Sequence, residues 1–242
     1  MNFDTKIRKI WFRFIDYVSI YTGSYVSVEI LNSIYRKLSD GVIDRKDDFH
    51  TMVFSNLQDN KVNSRSVIIR KFDCEKRNLI FHTDIRSPKV KAIRENPQTH
   101  CLFYHLPHKT QLRISTFSTV HYNDSYSDTA WENTSLSSRK CYLTRLNPSQ
   151  KTDICQDGIS ENLRSRIPTH EETQSGKKNF AVVINQILTI DWLYLSASGH
   201  QRALYDFTGK RIMKQWLVPW ICKDRICSLT SNISILNILG DV

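Results

Sequence analysis

Residues 65–113 read RSVIIRKFDCEKRNLIFHTDIRSPKVKAIRENPQTHCLFYHLPHKTQLR. The segment opens with a short apolar run that has an arginine at each end, and a second strand-like run, residues 79–83, ends in a polar turn. A basic loop then leads into a predicted helix over residues 88–95, which Asn96-Pro97 stops. A later strand begins at Gln111. We therefore expect cations, hydroxyls and an amide at successive strand ends.

Short strand patterns continue on both sides of this segment. Residues 52–57 and the strand that ends at Arg70 are joined by a tight-turn sequence at residues 58–61, which predicts a β-hairpin. Residues 100–105 and 111–121 form a further predicted pair. Because strands joined by such short turns run antiparallel, we expect a mainly β fold in which the sheet closes into a barrel with peripheral helices.

The pattern divides the chain into three predicted parts. Residues 1–48 form an amphipathic helical cover, with a helix end at Asp40-Gly41. Residues 49–219 form the barrel domain, and residues 147–178 are a polar, flexible loop insertion within it. Residues 220–242 form a tail without a clear period. The strands predicted after the loop are residues 180–187, 189–195, 202–207 and 211–218.

Composition and charge narrow the class of partner. The 242 residues suffice for one well-buried domain, and 7 glycines without a glycine-rich phosphate motif leave side chains and ordinary amides to hold any phosphate. A net charge of +10 favours a phosphorylated cofactor, nucleic acid or an acidic membrane surface. Nucleic acid is not expected, because the basic residues do not interleave with aromatic residues as a base-stacking platform requires.

Cysteine usage and hydropathy bear on the compartment. The six cysteines include no CxxC pair, which favours reduced thiols and a cytoplasmic protein. No metal site is expected, since the one near pair of possible ligands, His105 and His108, flanks a turn. No apolar run approaches the about 20 residues of a membrane span, and no signal peptide is expected. Docking of a basic, aromatic helix face on a membrane surface is an alternative for residues 5–39.

The residues at the strand ends suit a phosphorylated, planar ligand with polar edges, and flavin mononucleotide (FMN) is the ligand that we expect. A phosphate dianion needs cations and hydroxyl donors, for which Arg65, Lys89, Thr83, Ser87 and Arg86 are candidates. Lys89 also falls in the first turn of the predicted helix, whose amide end favours an anion.

The flavin ring makes different demands from the phosphate. Its uracil-like edge needs a donor and an acceptor, which the amide of Gln111 supplies, and Arg70 supplies a positive charge beside the ring. Trp192 and Trp131 are available to cover its apolar face. Strand parity puts Arg65 and Arg70 on opposite faces of a regular strand. Each residue alone is more typical of a solvated strand end, so the prediction depends on their order along the chain.

In this order the residues resemble the flavin-binding split barrel of the pyridoxamine phosphate oxidase superfamily, in its oxidase-related FMN-binding branch. The resemblance implies an antiparallel Greek-key split β-barrel. The segments that carry it are residues 65–70, 81–89, 96–97, 111–113, 131–139, 191–192, 202–205 and 216–219.

The resemblance also implies a homodimer with FMN at the subunit interface. The residues that it assigns to FMN are Arg65, Ser66, Val67, Arg70, His82, Thr83, Ser87, Lys89 and Gln111 of one subunit, with Trp192 and Arg202 supplied by the other. It assigns Arg70 and His200 to the substrate. Pro88 stands where the oxidase has a phosphate-holding arginine, and Ser198 stands where it has a substrate-binding arginine. The FMN site is thus expected to be retained and the pyridoxamine phosphate site to be eroded.

Together these expectations predict an FMN-dependent oxidoreductase, and they do not identify its substrate. Hydride transfer at a flavin needs no catalytic nucleophile or acid–base pair from the protein, and none is predicted. Oxidation of pyridoxamine phosphate is a narrower version of this hypothesis. The alternative is a non-enzymatic binder, either a flavin carrier or a split barrel adapted to haem.

Overall fold

The computed structural model describes residues 25–219, with side chains from residue 28 onward. Residues 1–24 of the predicted helical cover and the tail predicted from residue 220 lie outside the described residues. The helices are α1 (Tyr25–Ile43), α2 (Pro88–Glu95), α3 (Ser125–Glu132), α4 (Leu136–Arg139), α5 (Glu161–Arg164) and α6 (His170–Gln174). The strands are β1 (Thr51–Gln58), β2 (Lys61–Ile68), β3 (Lys71–Asp73), β4 (Asn78–Asp84), β5 (Gln98–His105), β6 (Thr110–His121), β7 (Phe180–Tyr194), β8 (Gln201–Asp206) and β9 (Met213–Trp216).

Nine strands form one antiparallel sheet in the order β2-β1-β5-β6-β7-β4-β3, and β8 and β9 extend it from β7. This confirms the mainly β fold with peripheral helices. The sheet does not close by strand pairing, which corrects the prediction of a closed barrel. The two ends of the sheet order, β2 and β3, are consecutive in the chain, and in the segment between them Arg70 N donates a 2.8 Å hydrogen bond to Ile80 O of β4.

The predicted hairpin between β1 and β2 is confirmed. Its loop residues Asp59 and Asn60 have φ values of 51° and 57°, as a two-residue turn of this hand requires. The turn sets the register, which pairs Phe54 with Arg65. Since cross-strand partners share a face, Arg65 points to the inner side of the sheet together with the core residue Phe54.

The core is aromatic at its centre. Phe54, Phe81 and Phe103 are fully buried, and the rings of Phe54 and Phe81 are 5.0 Å apart. One end of the interior is polar instead, with a buried chain in which Ser118 Oγ donates a 2.7 Å hydrogen bond to Asn185 Oδ1. Because these groups satisfy one another, the interior tolerates them without a large desolvation penalty.

Helix α1 covers the core and continues past its predicted end. Ile34 and Leu38 of α1 are buried in the core cluster. Gly41 lies against the short 3₁₀ turn at Asp48–His50, where an added Cβ would be 2.6 Å from the backbone of Phe49. The prediction of a helix end at Asp40-Gly41 is wrong, because this glycine permits a close approach of two backbone segments within the helix.

Strand β7 is one long strand where the pattern predicted two. It pairs with β6 along its length, with β4 over its first half and with β8 over its second half. The register with β6 shifts between Ser115 and Thr116, which marks a β-bulge. The bulge explains why the apolar alternation breaks near Leu188. The region predicted as a loop, residues 147–178, contains the short helices α5 and α6.

Candidate functional site

The first group of predicted residues forms a cluster of cations and hydroxyls between β4 and the start of α2. Lys89 Nζ donates a 3.0 Å hydrogen bond to Thr83 Oγ1 and a 2.7 Å hydrogen bond to Ser87 Oγ. Thr83 and Ser87 are buried. Ser87 is the N-cap residue of α2 and makes no side-chain cap, so its hydroxyl is free to face Lys89. We call Arg65, Thr83, Ser87 and Lys89 the cation–hydroxyl cluster.

Electrostatics couple Arg65 to this cluster. Burial, and secondly the positive charge of Arg65, lower the pKa of Lys89 to about 8, although Asp84 acts in the opposite direction. Burial also lowers the pKa of Arg65. The charge of Arg65 disfavours the charged form of the half-buried Lys89, so the two side chains create a positive potential that an anion relieves. The cluster can therefore bind a phosphate through two cations and two hydroxyls.

Arg86 does not add a free cation. Its Nη2 lies 2.6 Å from Asp84 Oδ2 and its Nε lies 2.9 Å from Asp84 Oδ1, and it also donates to Thr144 O. Asp84 is therefore occupied by Arg86, which leaves the charges of Arg65 and Lys89 without a dedicated counter-ion among their described contacts. The prediction of Arg86 as a further phosphate cation finds no support in these contacts.

Ser66 and Val67 follow Arg65 on β2 and point to opposite faces. Ser66 pairs with Val53 and is exposed on the outer face, whereas Val67 pairs with Met52 and packs on the core. The two side chains therefore cannot contact a ligand on the same face.

A second group, Arg70 and His82, lies at a cavity of about 720 Å³. Ile80 and His82 point into this cavity from β4, on the face opposite to Thr83. Helices α3 and α4 and the segments around residues 42–50 and 69–71 close its sides. The lining residues are Val42, Ile43, Arg45, His50, Ile69, Arg70, Lys71, Ile80, His82, Ser125, Tyr126, Thr129, Ala130, Asn133, Thr134, Ser135 and Ser138.

The cavity has a positive character. Arg45, Arg70 and Lys71 contribute cations, and none of the described lining residues is Asp or Glu. Burial, and secondly the charge of Arg70, lower the pKa of His82 to about 4, so His82 is neutral near pH 7. An anionic group is the natural occupant of such a place.

A third group lies on the outer face of the sheet. Register places Tyr104, Gln111, Leu193 and Arg202 in one row across four strands. Arg202 donates hydrogen bonds of 2.9 and 2.6 Å to Asp191, which also accepts from Arg113. Gln111 and Arg202 therefore belong to the same face of one protomer, with one strand between them.

The remaining predicted residues are separate from these groups. Trp192 is partly buried against the core and stacks on Tyr194 with 6.2 Å between ring centroids. His200 lies in the exposed β7–β8 turn, where its Nδ1 accepts a 3.1 Å hydrogen bond from Ser196 N. Trp131 is fully buried beneath Tyr142 and Phe180 and cannot cover a bound ring, which corrects that expectation.

Asn56 is a neighbour of the cation–hydroxyl cluster that the sequence pattern did not predict. Asn56 of β1 is 3% exposed, and its Oδ1 accepts a hydrogen bond from Arg65 Nη1. The hairpin sequence could have predicted this contact, because the register counted back from the turn places Asn56 diagonally opposite Arg65 on the inner face. No group of three His, Cys, Asp or Glu residues in the described chain is arranged to hold a metal ion.

Part of the chain matches a known protein family. Residues 31–122 match the family described as pyridoxamine 5'-phosphate oxidase, FMN-binding domain. No curated protein matches the chain. No helix among residues 25–219 has the length and apolar character to cross a membrane.

Two solved structures share the fold. A pyridoxamine 5'-phosphate oxidase-related, FMN binding protein from Nostoc punctiforme is 18% identical, with a TM-score of 0.57 over 83% of this chain and 99% of that chain. PhzG from Burkholderia lata, solved with tetrahydrophenazine-1-carboxylic acid, is 14% identical, with a TM-score of 0.58 over 83% of this chain and 98% of that chain. The resemblance to this superfamily is thus confirmed for residues 31–122 and for the fold.

Proposed function

We propose that this chain, whose residues 31–122 match the FMN-binding domain of pyridoxamine 5'-phosphate oxidase, binds FMN and acts as an oxidoreductase on a small anionic molecule. The observation that carries the proposal is the cation–hydroxyl cluster, in which Arg65 and Lys89 meet two buried hydroxyls at the start of a helix. Its donor set fits a phosphate monoester.

The phosphate contacts follow from the hydrogen bonds already present. Thr83 Oγ1 and Ser87 Oγ accept hydrogen bonds from Lys89 Nζ, so their own O–H groups are free to donate to phosphate oxygens. Arg65 brings planar N–H donors to the same place. Each charge-assisted contact contributes roughly 1.5–3 kcal/mol. A phosphate at the first turn of α2 would also interact favourably with the positive end of the helix dipole.

The ring of the cofactor would meet the outer face and the cavity edge. Gln111 offers a donor and an acceptor to its polar edge, and Ser66 is exposed on the same outer face. Arg70 supplies a positive charge that favours an anionic reduced ring, and neutral His82 adds no second charge. Bound FMN supplies hydride transfer, while these side chains orient it and exclude water.

The homodimer is part of the same proposal. Arg202 and Gln111 share one outer row, so an interface made by this face in both protomers brings the Arg202 of one subunit toward the Gln111 of the other. The outer face also carries partly exposed apolar side chains, with Tyr104 at 43% and Phe117 at 41% exposure. A symmetric interface of this kind uses one patch twice. We propose that in this arrangement Arg202 of one subunit reaches the FMN of the other, whereas Trp192, which packs against the core, stays a prediction of the family resemblance.

The cavity at Arg70 is the place that we propose for the substrate. Its three cations and absence of lining carboxylates in the described chain favour a phosphate or carboxylate group. His200 remains a candidate contact in the assembled dimer. The cytoplasm is the proposed compartment, and the four described cysteines, Cys74, Cys101, Cys141 and Cys155, are free.

A non-enzymatic flavin or haem binder is the second candidate function. The β7–β8 turn favours it, because Ser198 stands in place of a substrate-binding arginine and bonds within the turn, 2.8 Å from Ser196 Oγ. Steady-state assays with pyridoxamine phosphate and with reduced nicotinamides separate the two functions. Reduction and reoxidation of bound FMN with either substrate would support the enzyme hypothesis. FMN binding without such turnover, for every anionic electron donor tested, would support the carrier hypothesis.

The FMN site itself is tested by equilibrium titration of the Arg65→Ala/Lys89→Ala double variant. We expect its affinity for FMN to fall by roughly 100-fold or more, since two charge-assisted contacts are lost. Lys91→Ala is the matched control, because Lys91 lies on the same helix with its side chain 83% exposed. Unchanged affinity in the double variant would show that the phosphate binds elsewhere.

A further inference from the structure

We propose that Asn56 is a positioning residue of the phosphate site: its neutral amide holds Arg65 toward the cation–hydroxyl cluster without neutralising the guanidinium. The inference rests on the proposed FMN function and extends it to a residue outside the predicted site. It concerns the neutral hydrogen-bond acceptor that holds Arg65, where several other arginines of the described chain are held by a carboxylate.

The orientation of the Asn56 amide is set by two contacts. Its Nδ2 donates a 2.9 Å hydrogen bond to Leu57 O, which turns Oδ1 toward Arg65. The residue is buried on β1, on the same inner face as Arg65 of β2. A buried amide with both ends engaged has one orientation, so it presents a fixed acceptor to Arg65.

A second contact completes the hold on Arg65. Its guanidinium carbon lies 5.8 Å from the centroid of the Phe54 ring. Phe54 and Asn56 are two residues apart on β1 and share a face, so they contact Arg65 from one strand. A guanidinium has five N–H donors, and its described contacts engage one of them with Asn56. The others remain for an anion.

The contrast with other arginines shows why the acceptor is informative. Six arginines of the described chain form ion pairs with carboxylates: Arg86, Arg113, Arg139, Arg164, Arg166 and Arg202. Arg65 is held by an amide and keeps its net charge. An arginine without a carboxylate partner keeps its positive charge available for an anionic ligand.

The test compares FMN with riboflavin, which has the same ring and no phosphate. Asn56→Asp keeps the size of the side chain and supplies Arg65 with an internal counter-ion. We expect FMN affinity to fall about 100-fold and riboflavin affinity to stay within about twofold. Asn56→Ala removes the acceptor without adding charge, and we expect a loss of about tenfold for FMN alone.

Asn63→Asp is the matched control, because Asn63 pairs with Asn56 across the hairpin but is exposed. Its carboxylate is screened by water, so we expect FMN affinity within about threefold of the unsubstituted protein. Wild-type FMN affinity in Asn56→Asp, or equal losses for FMN and riboflavin, would overturn the inference. An unsubstituted protein that binds neither flavin would instead overturn the proposed function.

Discussion

Lys89 Nζ lies 3.0 Å from Thr83 Oγ1, so a lysine from the first turn of α2 is joined to the last inward-facing residue of β4. The bond fixes the ammonium in a half-buried position beside Arg65, where its pKa is about 8 instead of the usual 10.5. A lysine with this pKa changes charge within the range in which binding is easily measured.

FMN affinity should therefore depend on pH above neutrality. Below about pH 8 the free protein already carries the charged Lys89, and above it FMN binding must take up a proton. We expect affinity to weaken as pH rises from about 7.5 to 9.5, by up to tenfold per unit, while riboflavin affinity stays flat. Lys89→Arg is the control, because arginine remains charged and should remove the slope. Parallel pH profiles for FMN and riboflavin would rule out this role of Lys89.

Arg70 should control the ionisation of His82 in the cavity. Arg70→Ala should raise the pKa of His82 above its value of about 4, but leave it below 6.5, since burial is the larger cause. NMR titration of the imidazole measures this directly. An unchanged pKa would mean that Arg70 does not face His82.

The same histidine gives a stability prediction. A folded-state pKa of about 4 against an ordinary 6.5 means that the unfolded chain binds the extra proton between these values. The free energy of unfolding should therefore rise with pH between about 4 and 6.5. Above this window His82 should add nothing to the pH dependence, because it is neutral in both the folded and the unfolded state. Denaturant unfolding of the protein and of His82→Gln across this pH range tests the sign, because the variant should lose that part of the slope.

Asp191 should stabilise the folded protein, because its carboxylate neutralises two arginines on the outer face of the sheet. It accepts from both Arg113 and Arg202, and Asp191→Asn would leave two guanidinium groups with a weaker partner. We expect a loss of about 1–3 kcal/mol in the free energy of unfolding. Asp157→Asn is a suitable comparison, since the Asp157–Arg164 pair is solvent-exposed and should cost under about 1 kcal/mol. Equal effects of the two substitutions would contradict a structural role for Asp191.

Gly41→Ala should destabilise the protein although alanine is the better helix former. The propensity gain of about 1 kcal/mol is opposed by a Cβ placed 2.6 Å from the Phe49 backbone. Overpacking of this kind costs about 1–3 kcal/mol, and backbone cannot move aside as a side chain can. Thermal unfolding checks the sign. Ser33→Ala, at an exposed position of the same helix, should be neutral or stabilising.

Local signals predicted much of the fold. The Asn96-Pro97 stop and the basic loop predicted helix 88–95, which α2 matches, and the turn at Asp59 and Asn60 predicted the first hairpin. The predicted end of α1 was wrong because Gly41 is explained by its close contact with Phe49, and a helical pattern does not reveal such a contact. The bulge beside Thr116 depends on how three strands share β7, which local sequence does not record.

The candidate site was predictable in part for the same reason. Arg65, Thr83, Ser87 and Lys89 stand out as ligand types at strand and helix ends, and the structure brings them together. The partner of Arg202 lies 11 residues away across a hairpin and that of Arg113 lies 78 residues away. Such pairings follow from sheet order, so charge patterns along the chain could not reveal them.

The most direct measurement is the visible absorption spectrum of the purified protein after incubation with FMN and desalting. We predict a yellow protein that retains about one FMN per protomer, and a colourless Arg65→Ala/Lys89→Ala variant after the same treatment. A colourless unsubstituted protein that also fails to bind added FMN in an equilibrium titration would contradict the account.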